Sequence, residues 1–150
     1  MPRGARRLPE RCVEELERAD LILHAGDFVS ASVLEELRRY APVEAVVGNM
    51  DEPALQELLP RRRVVEVEGT RIGMVHIPGP AAHRAEGLAG SFPGCDAVVY
   101  GHTHVPEIKR QGEVWILNPG SPTERRRAPT RSMMVVEVAR DLKPQLLELP

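Results

Sequence analysis

Apolar residues fall along this chain in short runs, and their spacing switches between helix-like and strand-like. Glu10–Asp20 carries Val13 and Leu16 on one face at helical spacing and leads into LILHAGD, an apolar strand that ends in a loop. Ser32 and Glu35 have the form of a capping box for a helix running through Arg39. VEAVVGN then repeats the theme as a second apolar strand stopped by glycine, and a further helix is predicted near Pro53–Leu59. From Arg63 the grammar changes. RVVEVEG and TRIGMVH flank Glu68-Gly69 and predict a hairpin, a small-residue segment around Ala81–Gly90 predicts a weak helix, and AVVYG is another apolar strand. PEIKRQGEVWILN, RSMMVVEVA and PQLLELP read as successive antiparallel strands. The sum is an α/β chain with a β-rich C-terminal half.

The residues just past the predicted strands share a chemistry. They are Gly26-Asp27, Gly48-Asn49, His76 and Gly101-His102-Thr103-His104. α/β sheets place ligands outside the carboxyl ends of their strands, so these loops mark a site. Taken singly, Gly-Asp and Gly-Asn are ordinary turn pairs, and a histidine at a strand end is more often a satisfied core residue than a ligand. Two imidazoles one residue apart on one tight loop are harder to explain structurally. Imidazole, carboxylate and carboxamide together suit Mn, Zn, Fe or Ni, and a carboxylate has two oxygens with which to bridge two ions. His102 and His104, at i and i+2, would point differently and could each serve one ion of a pair.

Composition narrows the field. The 150 residues carry a net charge of −2 and only 3% aromatics, which leaves neither a basic footprint nor stacking platforms for nucleic acid. A chain of this length predicts one domain, residues 1–150, able to bury a core without a disulfide. Cys12 and Cys95 are far apart with no CxxC spacing, and neither a signal peptide nor an apolar run of membrane length is seen. The expectation is a cytoplasmic protein with reduced thiols, acting on a small substrate. The basic tracts Arg61–Arg63 and Arg125–Arg127 read as solvated loops or strand starts before phosphate clamps.

The ordered blocks LILHAGD, VVGNMDE, MVH and VVYGHTH, with NPGS downstream, resemble the calcineurin-like metallophosphoesterases, in particular the small bacterial and archaeal phosphodiesterases of that superfamily. The resemblance covers nearly the whole chain. It implies a four-layer αββα sandwich of two mixed sheets with a metal site at one edge, and a cofactor of one or two divalent ions, Mn first. It further implies that Asp27 bridges the ions, that Asn49, His76 and His102 complete one, and that His104 contributes to the other. Hydrolysis of a phosphoester by a metal-bound hydroxide is the implied activity. His24 reads as a core or supporting histidine, and NPGS, Asn118 to Ser121, as the floor of the site.

The sequence departs from the family in three places. The family opens with a strand ending in Asp-x-His, and no such motif occurs here; MPRGARRLPE resembles what normally follows it. The expectation is a chain beginning about one strand late, with a weakened second ion, lower stability or compensating self-association into a homo-oligomer. Met50 stands where relatives often carry a histidine that protonates the leaving group, which points to leaving groups of low pKa. HIPGP replaces the glycine that usually follows the third-block histidine. A rival reading is a catalytically impaired binding module, since the retromer subunit of this fold binds partner proteins. Retention of Asn49, His76, His102 and His104 together favours the enzyme.

Overall fold

The computed structural model describes residues 7–150. Along the chain run α1 (Glu10–Arg18), β1 (Ile22–His24), α2 (Ala31–Arg38), β2 (Val43–Ala45), α3 (Pro53–Leu58), β3 (Arg62–Val67) and β4 (Thr70–Val75). They are followed by α4 (Arg84–Ser91), β5 (Ala97–Tyr100), β6 (Glu107–Gln111), β7 (Val114–Asn118), β8 (Arg131–Val138) and β9 (Leu142–Leu149). The segment before Arg7, on which part of the expectation of a late start rests, lies outside the described residues.

Side-chain alternation along the strands builds the layers. In β5, Ala97 and Val99 face one apolar cluster while Val98 and Tyr100 face another. In β7, Trp115 and Leu117 divide from Val114 and Ile116 in the same way. The first cluster joins these strands to Leu21, Leu23, Met134, Val136 and Leu142, so it is the interior between two sheets. The second is closed by Ala85, Leu88 and Phe92, which puts α4 on the outer face of the five-stranded sheet. A third cluster seats Cys12, Leu16, Val33, Leu34, Leu37 and Leu55 of α1, α2 and α3 on Ile22, Ala45, Met133 and Leu149. Helix, sheet, sheet, helix is the resulting order, the αββα sandwich expected from the sequence. Each fully buried side chain such as Met74 or Leu117 contributes roughly 1.5–3 kcal/mol through removal from water.

The larger sheet has the order β3-β4-β5-β7-β6, with β4, β5 and β7 parallel and antiparallel strands at both edges. The hairpin turns at Glu68-Gly69, both at positive φ, as a two-residue connection between right-twisted strands requires. The other layer comprises a parallel β1-β2 pair and an antiparallel β8-β9 pair. Parallel pairing has a functional consequence: the chain leaves β1 and β2 at one common edge, and β4, β5 and β7 at another. No helix among the described residues is long and apolar enough to cross a membrane.

The capping box was misplaced. The N-cap of α2 is Ser30, without a side-chain cap bond, and Ser32 lies inside the helix, its hydroxyl 2.7 Å from that of Ser30. The capping acceptor comes from elsewhere: Glu52 Oε1 takes the Ala31 N–H at 2.8 Å. Such a partner, 21 residues away, leaves no local spacing to read.

Candidate metal centre

Four of the five residues singled out as ligands meet where the two sheet edges face each other. Asp27 leaves the loop after β1, Asn49 the loop after β2, His76 follows β4 directly and His102 lies one residue beyond Gly101 at the end of β5. Asp27 Oδ2 is 3.3 Å from His76 Nε2, which is 2.8 Å from Asn49 Oδ1, and His102 Nδ1 is 3.3 Å from the same amide oxygen. Asp27, His76 and His102 offer donor atoms that all lie within 4.8 Å of one another. Donors held ~2.1 Å from a single ion stand about 3 to 3.5 Å apart, so the spacing fits one coordination sphere.

The protonation pattern fits as well. His76 Nδ1 sits 2.6 Å from the Ala25 carbonyl, an oxygen that can only accept, so Nδ1 carries the proton. In the neutral ring Nε2 is then a bare lone pair, and it faces the carboxylate of Asp27 and the amide oxygen of Asn49. Converging lone pairs beside a ring only 3% exposed call for a cation between them. Burial works to raise the Asp27 carboxyl, yet with a proton on His76 Nε2, in the place a cation would take from it, the His76 ring and the Met50 N–H outweigh burial and bring its pKa to about 2, so it is a carboxylate at neutral pH. Burial foremost, with the guanidinium charges of Arg126 and Arg84, lowers the His102 pKa and keeps that ring neutral.

The backbone around Asp27 is built for this arrangement. Asp51 Oδ2 accepts the N–H groups of Asp27 at 3.2 Å and Gly48 at 2.7 Å, while Oδ1 accepts Val29 N–H at 2.8 Å. Asp27 Oδ1 in turn accepts Met50 N–H at 2.9 Å, which leaves Oδ2 turned toward His76. Gln56 Nε2 ties the carbonyls of Gly48 and Asp51 from α3. Gly48 has no alternative: a Cβ there would sit 2.2 Å from both the Asp27 backbone nitrogen and Oδ1. Asp51 was not recognised from sequence as a residue of the site; its position after Gly-Asn-Met reads as an ordinary turn.

The His102–His104 loop is held differently. Both histidines adopt positive φ, 68° and 61°. Asn118, fully buried, donates Nδ2 to Thr103 Oγ1 at 3.0 Å and to the Gly101 carbonyl at 3.4 Å, while its Oδ1 accepts Gly120 N–H. NPGS is therefore the support expected of it. His104 stands outside the four-donor cluster; its Nδ1 is 3.1 Å from the Glu124 carbonyl, and burial first, then Arg126, lowers its pKa. His24 is a supporting residue: its ring stacks on Phe28 at 3.6 Å and its Nδ1 accepts Gly26 N–H. Arg126, part of a tract read as solvated, donates NH1 to the His102 carbonyl at 3.2 Å, so it belongs to the neighbourhood of the site. Arg62 and Arg63 begin β3 as expected; Arg62 lies 4.3 Å above the Phe92 ring and Arg63 pairs with Glu44.

Residues 4–141 match the profile of the calcineurin-like phosphoesterase superfamily domain. The chain belongs to that superfamily. It is 36% identical over 145 residues to a protein named "Probable metallophosphoesterase" from Methanocaldococcus jannaschii, covering 95% of this chain and 73% of that one. To the phosphodiesterase YfcE of Escherichia coli it is 31% identical over 108 residues, covering 63% of this chain and 52% of that one. Among solved structures, a Vps29 variant from Entamoeba histolytica superposes with a TM-score of 0.78 at 23% identity, covering 100% of this chain and 94% of that one, which establishes likeness of fold. The resemblance read from LILHAGD, VVGNMDE, MVH and VVYGHTH thus holds at the level of family and architecture.

Proposed function

We propose that this metallophosphoesterase is a phosphodiesterase holding a divalent transition ion, Mn²⁺ before Zn²⁺, Fe²⁺ or Ni²⁺, through Asp27, Asn49, His76 and His102. The observation that carries the reading is the convergence of the His76 Nε2 lone pair, the Asp27 carboxylate and the Asn49 amide oxygen at 2.8 to 3.3 Å, with His76 Nδ1–H committed to Ala25. The YfcE likeness supports a diester as substrate. Such an ion, when bound, supplies Lewis-acid charge and a low-pKa water at phosphorus. The protein's own part is to orient and exclude. Asp51 and the Met50 N–H fix the carboxylate, Ala25 fixes the imidazole tautomer, and Asn118 fixes the loop that carries His102. We assign His104 to a second ion shared with Asp27. Met50 offers no proton to a departing alkoxide, so leaving groups of low pKa are favoured.

Calorimetry with Mn²⁺ on the wild type and on His102→Ala tests the ligand set, alongside hydrolysis of bis(p-nitrophenyl) phosphate. The expected loss of affinity exceeds the roughly 10- to 100-fold that follows removal of a group merely supporting a ligand. Equal affinity in both proteins removes His102 from the set. Wild-type Mn²⁺ binding without any diester hydrolysis turns the reading toward a metal-holding binding module.

A further inference from the structure

The stretch between β7 and β8 carries the basic tract Arg125–Arg127, which the metal centre does not use beyond the bond from Arg126 to the His102 carbonyl. It forms one wall of an open cleft of about 560 Å³, lined by Thr123, Glu124, Arg125, Arg126 and Arg131. Arginines on a loop are ordinarily solvated cations with no fixed place. Two of these are pinned: Arg125 NH1 donates to the Pro129 carbonyl at 3.2 Å, and Arg126 NH1 to the His102 carbonyl at 3.2 Å. A guanidinium carries several N–H donors, so one such bond orients it and leaves most of them over. Arg131 gives its NH2 to the Pro150 carbonyl at the far side of the cleft. Beside these cations lies an unmade bond. Thr123 is 7% exposed, and its Oγ1 is buried with no hydrogen-bond partner among the described residues. A buried hydroxyl left unpaired costs free energy that a ligand oxygen recovers. The polar lining is therefore mainly donors, three guanidiniums and a hydroxyl against the carboxylate side chain of Glu124.

We infer that this cleft is a second binding site, beside the metal centre, for a phosphate monoester held by Arg125, Arg126 and the Thr123 hydroxyl. Guanidinium forks meet phosphate oxygens in pairs, and a phosphate has enough terminal oxygens to take both forks and the hydroxyl at once, which a carboxylate does not. A free phosphate ion fills only part of such a cleft. The rest of its wall includes Leu149, Pro129 and Pro150, which suit an organic group on the phosphate. None of Asp27, Asn49, His76 and His102 lines the cleft, so occupancy requires neither a bound ion nor hydrolysis.

Phenylphosphonate, which carries the dianion on an organic group and resists hydrolysis, is titrated by calorimetry into the full chain with chelator present, so that no ion at the metal centre can take it up. Benzoate is the carboxylate control. Phenylphosphonate is expected to bind at least about tenfold more tightly than benzoate. Amide NMR shifts on saturation should fall on Thr123, Glu124, Arg125, Arg126 and Arg131, and leave Gly48 and Asn49 in place. Arg125→Met and Arg126→Met should each weaken binding about tenfold, and Thr123→Val, which keeps the shape and removes Oγ1, about fivefold. Arg125 and Arg126 are exposed, and circular dichroism melts check that all three variants fold. No binding in chelator, equal affinity for benzoate, shifts confined to the metal-centre loops, or unchanged affinity in any of the three folded variants overturns the assignment. The phosphodiesterase reading is untouched by each of these results, because it rests on Mn²⁺ uptake and diester hydrolysis at the other site.

Discussion

The two halves of the candidate metal centre are made in opposite ways. On one side Asp27 and His76 are buried, and the backbone around them is immobilised by Asp51, Gln56 and the Ala25 carbonyl. On the other, His102 and His104 are half-buried in left-handed conformations on a loop held by the buried amide of Asn118, by Arg126 at the His102 carbonyl and by the Glu124 carbonyl at His104. The contrast teaches where precision resides. The buried half is fixed by the core itself and sets the place of an ion before one arrives, whereas the exposed half is a loop that can adjust to substrate at small cost.

Gly48→Ala should break the buried half outright. Its new Cβ would fall 2.2 Å from the Asp27 nitrogen and Oδ1, and 2.9 Å from the carboxyl carbon, so backbone must move and Asp51 loses its grip on two N–H groups. A loss of about 3 to 5 kcal/mol is expected, with Mn²⁺ uptake abolished, as read by urea denaturation and calorimetry. A folded variant of wild-type stability would show that this cradle is softer than its hydrogen bonds imply.

Acid should also act on the buried half. Burial foremost drives His24 down from 6.5 to about 3, in a place where its Nδ1 accepts Gly26 N–H and its ring is stacked on Phe28. The unfolded chain therefore takes up this proton first, and stability present above pH 6.5 is lost as pH falls through the window from 6.5 to 3. Asp27 adds a second loss between 3.8 and about 2, since its carboxylate is favoured in the folded state. Together they weaken the metal-free protein on the order of a few kcal/mol between pH 7 and pH 3. Thermal melts in chelator at pH 7, 5 and 4 measure it, and His24→Asn should flatten the upper part of the slope. A melting temperature constant from pH 7 to 4 would show that His24 titrates normally.

Legibility in the sequence follows the same division. The strand-end positions of Asp27, Asn49, His76 and His102 could be read because each follows a short apolar run whose burial is a local pattern. The hairpin at Glu68-Gly69 was legible for the same reason, whereas the layered architecture came only from the family resemblance of the strand-end blocks. What escaped is long-range and polar. Asp51 reaches across 24 residues to the Asp27 N–H, Glu52 across 21 to Ala31, and Arg126 across 24 to His102, and no periodicity announces such pairs. α4 begins at Arg84, later than the small-residue run suggested, because His83 holds a left-handed conformation at its N-cap.

The smallest expected effect sharpens the exposed half. His104 lies outside the four-donor cluster, and its Nδ1 faces the backbone carbonyl of Glu124, on the loop that also carries Arg126. Removing the ring in His104→Ala should leave Mn²⁺ affinity at Asp27, Asn49, His76 and His102 within about threefold of wild type, because none of those donors leans on it. Hydrolysis of bis(p-nitrophenyl) phosphate should nonetheless fall about tenfold, through loss of the ligand proposed for a second ion and a looser Arg126 loop. Calorimetry and steady-state kinetics on the same preparation read both quantities. Loss of all metal uptake would place His104 in the first coordination sphere and erase the division drawn between the two histidines; unchanged kinetics would leave it as a pin for the Glu124 loop, with no part in the reaction.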